Sequence, residues 1–98
     1  MIVMYSKPDC GHCVLAKAWL DRHNVEYTEI DVSSDPDALN FIREQGHRTV
    51  PQIYYDTGTS HKLLVEGGNT GLQAMDVDGL LSRVDEVSTF SLADLGDI

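Results

Sequence analysis

Ile2-Val3-Met4-Tyr5-Ser6-Lys7-Pro8-Asp9-Cys10-Gly11-His12-Cys13 sets a short apolar run against a pair of thiols, and a helix-like run, Val14 to His23, follows at once. A thiol at a strand-to-helix junction has its sulfur near the first backbone N–H groups of the helix. Their partial positive charge favours the thiolate over the thiol. A second thiol three residues on lies one turn further along, within reach of a disulfide made by the first. The spacing suits reversible dithiol exchange. Cys10, at or before the helix start, is the more exposed and is assigned as nucleophile. Cys13, one turn in, is more buried and is assigned as resolving thiol. Lys7 and His12 are close enough in sequence to add positive charge. A protonated His12 would stabilise the thiolate further and make the disulfide a better oxidant.

The pattern outward from this stretch alternates strand and helix. Residues 2–6 read as a buried strand, and helix one should run from about Gly11 to His23 with Cys13, Ala16 and Leu20 on one face. Val25 to Val32 is strand-like, although its alternation slips near Glu29. Ser34 or Asp35 can cap helix two, Pro36 suits its first turn, and Gly46 is placed to end it in the left-handed conformation. Val50 to Tyr55 and Lys62 to Val65 make a hairpin across Asp56-Thr57-Gly58-Thr59-Ser60. Thr70-Gly71-Leu72-Gln73 has the spacing of a capping box that starts helix three. Gly79 is expected to kink or divide that helix. The order β-α-β-α-β-β-α argues for an α/β layered domain around a mixed sheet.

Ninety-eight residues make one domain, with the folded part at 1–84 and an acidic segment at 85–98 read as a solvated, partly disordered tail. Phe90, Leu92 and Leu95 leave room for docking of that tail. The net charge is −9, from sixteen acids against seven bases, so a phosphate backbone is not an expected partner. Mean hydropathy is −0.20 and the apolar runs are too short to cross a bilayer, so no membrane is expected. The first strand pattern begins at residue 2 without a leader-like segment, which points to the cytoplasm. The two cysteines are too close together to staple a fold, and in a reducing compartment such a pair is catalytic or metal-binding. A closed zinc site needs four ligands and would require two of His23, His47 and His61 to fold onto the pair, so no metal is expected.

The second informative element is Arg48-Thr49-Val50-Pro51. A proline that opens a strand marks an edge, a bulge or a bend, because it cannot donate to the ladder. Taken alone, it reads as an ordinary strand-start proline.

Lys7-x-x-Cys10-x-x-Cys13, then Thr49-Val50-Pro51-Gln52-Ile53, then Gly67-Gly68, resembles the glutaredoxin family over about residues 1–84. The resemblance implies a thioredoxin-like fold: a four-stranded mixed sheet with three flanking helices. It implies a cis Val50–Pro51 peptide and the reduction of protein disulfides or glutathione mixed disulfides by a monomer. Glutathione would be a co-substrate, and no tightly bound cofactor is implied. Cys10 and Cys13 would be catalytic, and Lys7, His12, Thr49, Val50 and Pro51 would form the glutathione groove. Gly68, Asn69 and Thr70 would face the γ-glutamyl end, and Arg48 a carboxylate.

Two departures stand out. The family usually has Pro-Tyr between its cysteines, where this chain has Gly11-His12. It also often places an acidic residue just after Gly-Gly, where this chain has Asn69-Thr70-Gly71. Two alternatives therefore stand beside the glutathione-dependent reading. One is a redoxin reduced by thioredoxin reductase that feeds ribonucleotide reductase. The other is a member that holds an iron–sulfur cluster between two subunits, which the absence of a proline after Cys10 permits.

Overall fold

A computed structural model describes the backbone of residues 1–96 and the side chains of residues 1–87. Its elements are β1 (Ile2–Ser6), α1 (Gly11–Arg22), β2 (Thr28–Asp31), α2 (Pro36–Glu44), β3 (Gln52–Asp56), β4 (His61–Val65), α3 (Gly68–Gln73) and α4 (Val77–Gly96). The four strands form one mixed sheet in the order β2-β1-β3-β4. β2 runs parallel to β1, and β3 and β4 are antiparallel to their neighbours.

β1 is apolar through most of its length because it is a central strand covered on both faces. Ile2 and Met4 join Ala16, Trp19, Leu20, Ile53, Leu64, Leu72 and Leu80 in one core, under α1, α3 and the start of α4. Val3 and Tyr5 join Val32, Ala38, Ile42 and Tyr54 in a second core, under α2. β2 is shorter than the strand expected over Val25 to Val32, and the slip near Glu29 marks a change of face: Val25 and Tyr27, ahead of the strand, pack against the first core, and Ile30 and Val32 against the second. Glu29 is exposed on the α1 side, where it accepts a hydrogen bond from Ser6 Oγ at 2.7 Å and meets Lys17 Nζ at 3.3 Å.

Both α1 and α2 end in paired hydrogen bonds around a left-handed residue. After α1, Asn24 (φ +56) donates to the Asp21 carbonyl and Val25 to that of Leu20. After α2, Gly46 (φ +89) donates to Arg43 and His47 to Ile42, the ending expected at Gly46. Asp35 is the residue that caps α2, its Oδ1 accepting the Ala38 N–H, with Pro36 in the first turn.

The third helical region departs from expectation. α3 starts at Gly68, after a left-handed Gly67, and no side chain caps it. Thr70 therefore lies inside the helix. Gln73, assigned to a capping box, turns its amide to Asn69 and to the Leu15 carbonyl instead. The earlier start follows from close packing. A Cβ on Gly68 would fall 2.5 Å from the Pro51 carbonyl oxygen, and one on Gly71 would fall 1.8 Å from that of Glu66. The chain divides at Ala74–Asp76 and not at Gly79, because Asp76 Oδ1 accepts the Gly79 N–H at 2.7 Å and opens a new helix. Two helices thus stand where one was expected.

α4 continues to Gly96 without a break at 84/85, so the backbone of residues 85–96, expected as a tail, is helical. Val84 and Val87 pack on the first core. The docking expected of Phe90, Leu92 and Leu95 lies outside the described side chains. Among the described residues, no helix is long and apolar enough to cross a membrane.

Candidate active site

The site is assembled from three chain segments at one end of the sheet. The first is the turn from β1 into α1. Pro8 and Asp9 are exposed, and Asp9 takes φ +57 to swing the chain into the helix. Cys10 follows as the helix cap in extended conformation (φ −109, ψ 106), and its sulfur accepts the Cys13 N–H at 3.1 Å. Cys10 is half-buried, whereas Cys13 is 2% exposed and belongs to the core-facing side of α1. Burial pushes the Cys13 thiol up to about 11. The hydrogen bond with Cys10 adds to that rise, the Lys7 backbone N–H opposes it, and the charges of Cys10 and Glu29 add a little more. Both sulfurs are free thiols.

The second segment is Arg48–Pro51. The Val50–Pro51 peptide is cis, as the family resemblance implies, and the Val50 carbonyl oxygen is 3.7 Å from Cys10 Sγ. Thr49 is held from behind, since the buried Gln52 amide donates to its carbonyl at 2.9 Å and approaches its hydroxyl at 3.4 Å. Arg48 is exposed. Together with Arg43, Gly46 and His47 it lines a depression of about 480 Å³ at the end of α2.

The third segment is Gly67–Asn69. Gly68 lies against the Pro51 carbonyl, as its absent side chain permits, and Asn69 is buried. Asn69 Nδ2 lies 3.4 Å from His12 Nδ1, which turns the imidazole toward α3. The contacts thus bring Cys10, Cys13, Val50, Pro51 and Gly68 into one cluster, with His12 and Asn69 paired beside it. Lys7 and Thr70 are exposed and make no side-chain hydrogen bond or ion pair with the cluster. Two residues were missed by reading the sequence: Gln52, which braces Thr49, and Gln73, which braces Asn69. Neither has a local signal, because each acts through a contact set by the fold.

Beyond the thiols, α1 presents Val14 and Leu15, 59% and 53% exposed, as an apolar rim. A hollow of about 1020 Å³ lies elsewhere, lined by Met1, Asp21, Glu26, Tyr27 and Tyr55 among others. It contains neither thiol nor any residue of the cluster, so its size does not make it the seat of the chemistry. A half-exposed sulfur at a helix start, with a buried thiol one turn on and a backbone carbonyl opposite, is arranged for thiol–disulfide exchange.

The glutaredoxin family model matches residues 2–58 of the chain. Glutaredoxin 1 of Rickettsia conorii is 35% identical over 86 residues, which cover 85% of this chain and 78% of that protein. The solution structure of glutaredoxin from Brucella melitensis is 33% identical over 85% of each chain, with a TM-score of 0.61. NrdH-redoxin from Escherichia coli, a glutaredoxin-like protein with a thioredoxin-like activity profile, is 27% identical. That match covers 56% of this chain and 72% of the other, with a TM-score of 0.55.

Proposed function

Since the chain belongs to the glutaredoxin family of thiol–disulfide oxidoreductases, we propose that it carries electrons from glutathione to protein disulfides or glutathione mixed disulfides through Cys10 and Cys13. The observation that carries this reading is the pairing of a half-exposed Cys10 sulfur at the helix cap with a buried Cys13 one turn on. The Cys10 thiolate attacks one sulfur of the substrate disulfide, and the other sulfur leaves as a thiolate and takes up a proton. Cys13 then loses its proton and attacks Cys10, forming the Cys10–Cys13 disulfide and releasing the second substrate thiol. Two glutathione molecules restore the dithiol: the first forms a mixed disulfide on Cys10, and the second leaves with it as glutathione disulfide.

In this reading Lys7, His12, Arg48, Thr49, Val50 and Pro51 line the groove for glutathione, and Gly68, Asn69 and Thr70 meet its γ-glutamyl end. The exposed position of Thr49 and the cation of Arg48 beside it support that placement. In this reading residues 1–84 carry the redox chemistry, acting in a reducing compartment such as the cytoplasm, and the acidic segment 85–98 contributes no residue to the exchange.

One observation favours a second reading, in which thioredoxin reductase is the electron source and ribonucleotide reductase a recipient. The positions after Gly67-Gly68 hold no carboxylate for the glutathione amino group, and the Asn69 amide is already occupied by His12 and Gln73. The deciding experiment supplies each reductant in turn, glutathione with its reductase or thioredoxin reductase, to the wild type and to Cys13→Ser. Turnover of a glutathione mixed disulfide by both proteins supports the first reading. Turnover with thioredoxin reductase alone replaces it with the second. Equal inactivity of Cys13→Ser and Cys10→Ser with glutathione would overturn either the roles of the two thiols or the use of glutathione.

A further inference from the structure

Three hydrogen bonds tie the second residue between the cysteines to α3 and back to α1. Gln73 Nε2 donates to the Leu15 carbonyl at 3.3 Å and to Asn69 Oδ1 at 3.1 Å, and Asn69 Nδ2 lies 3.4 Å from His12 Nδ1. The direction of the whole relay is forced from one end. A backbone carbonyl can only accept, so the Gln73 atom facing Leu15 is its amide nitrogen. The same nitrogen faces Asn69, so the Asn69 atom it meets is the carbonyl oxygen. The Asn69 NH2 then faces His12, and an NH2 can only donate. Nδ1 of His12 must accept and carries no proton. A neutral imidazole has one N–H, and here it is Nε2–H. Nε2 itself bonds to no protein group among the described residues. Asn69 is 8% exposed, and an amide so placed is costly to leave without its partners, which keeps the relay in register.

We propose that Asn69 and Gln73 are positioning residues that fix the His12 tautomer, so that its ring meets an incoming disulfide substrate as an Nε2–H hydrogen-bond donor. The proposal rests on the reading of Cys10 as the attacking thiol. The substrate atom that suits Nε2–H is an acceptor close to the attacked sulfur, a peptide carbonyl or carboxylate oxygen.

The test reads the proton directly. Two-bond proton–nitrogen correlation of the His12 ring, in the reduced full-length chain at about pH 8.5 where an ordinary imidazole is neutral, distinguishes the two tautomers. The wild type should show Nε2–H, with Nδ1 as the bare nitrogen. Gln73→Glu, at an exposed position, presents only acceptors to Asn69. The Asn69 amide should then turn over, offer Oδ1 to His12 and move the proton to Nδ1. Asn69→Asp should give the same inversion without needing Gln73. A wild type dominated by Nδ1–H, or no change in either variant, would overturn the proposal. Inversion in Asn69→Asp alone would overturn the part given to Gln73. The readout needs no turnover, so failure of the glutathione assays with the tautomers as expected would count against the proposed function and not against the relay.

Discussion

α1 and α2 begin in the same way and for different ends. In each, the residue before the helix is extended, with φ −109 at Cys10 and −128 at Asp35, and its side chain accepts the N–H three residues on at 3.1 Å. At α2 the accepting atom is a carboxylate oxygen, a strong and permanent acceptor that also favours the positive end of the helix. At α1 it is a sulfur, a weak acceptor as a thiol and a charged one as a thiolate. α2 continues with Pro36, already set for the helix, and α1 with Gly11, whose Cβ position is open space. One start is built to hold. The other gives up holding strength so that its capping atom can react. The two roles are separated by the identity of a single atom in a shared geometry.

The comparison breaks most sharply at Cys10→Ser. Serine is among the better capping residues, so α1 should remain folded to within about 1 kcal/mol in thermal unfolding. Exchange should fall to the uncatalysed background in the same preparation. Measurable catalysis by this variant would place the reacting atom elsewhere.

The residue one turn inside each helix provides the next contrast, Cys13 against Ala38. Because burial lifts the Cys13 thiol to about 11, almost all of it is protonated near neutrality. Deprotonation creates the resolving nucleophile, and the burial of Cys13 persists when Cys10 is held in a mixed disulfide, so release should quicken with rising pH, by up to about tenfold per unit. Rapid-quench measurement of the mixed disulfide over about pH 6 to 9 checks the slope. A flat profile would mean that another group takes the proton in the step.

The smallest effect belongs to the conventional cap. Asp35→Ala should cost about 1 kcal/mol of stability in denaturant unfolding and leave exchange at the wild-type rate. Loss of exchange there would show that the two helix starts are coupled through the sheet.

The local parts of this molecule were readable before its structure, and the distant ones were not. β1, α1 and α2 follow from apolar spacing, Asp35, Pro36 and Gly46, all of which act within a few residues of themselves. Glu29 breaks the apparent alternation of β2 because the partners that hold its carboxylate, Ser6 and Lys17, come from other elements. The start of α3 was misplaced for a similar reason. Thr70 and Gln73 have the right local spacing, but the approach of Gly68 to Pro51 decides where the helix begins. At the site, the thiols and the Thr49–Pro51 segment could be named from their motifs. The bracing of Thr49 by Gln52 and of His12 by Asn69 and Gln73 could not, since an amide side chain has no pattern in sequence until its partners are in place.

Among the described residues, the strand order leaves β2 at the rim of the sheet with one side of its backbone without a strand partner, a place where a second copy could add a strand. Its four residues include Glu29 and Asp31. Pairing two such rims would gather the carboxylates of both copies into one patch, on chains that each already carry a net charge of −9. The same acid that obscured the alternation of β2 thus guards the fold's open border against the first step of aggregation.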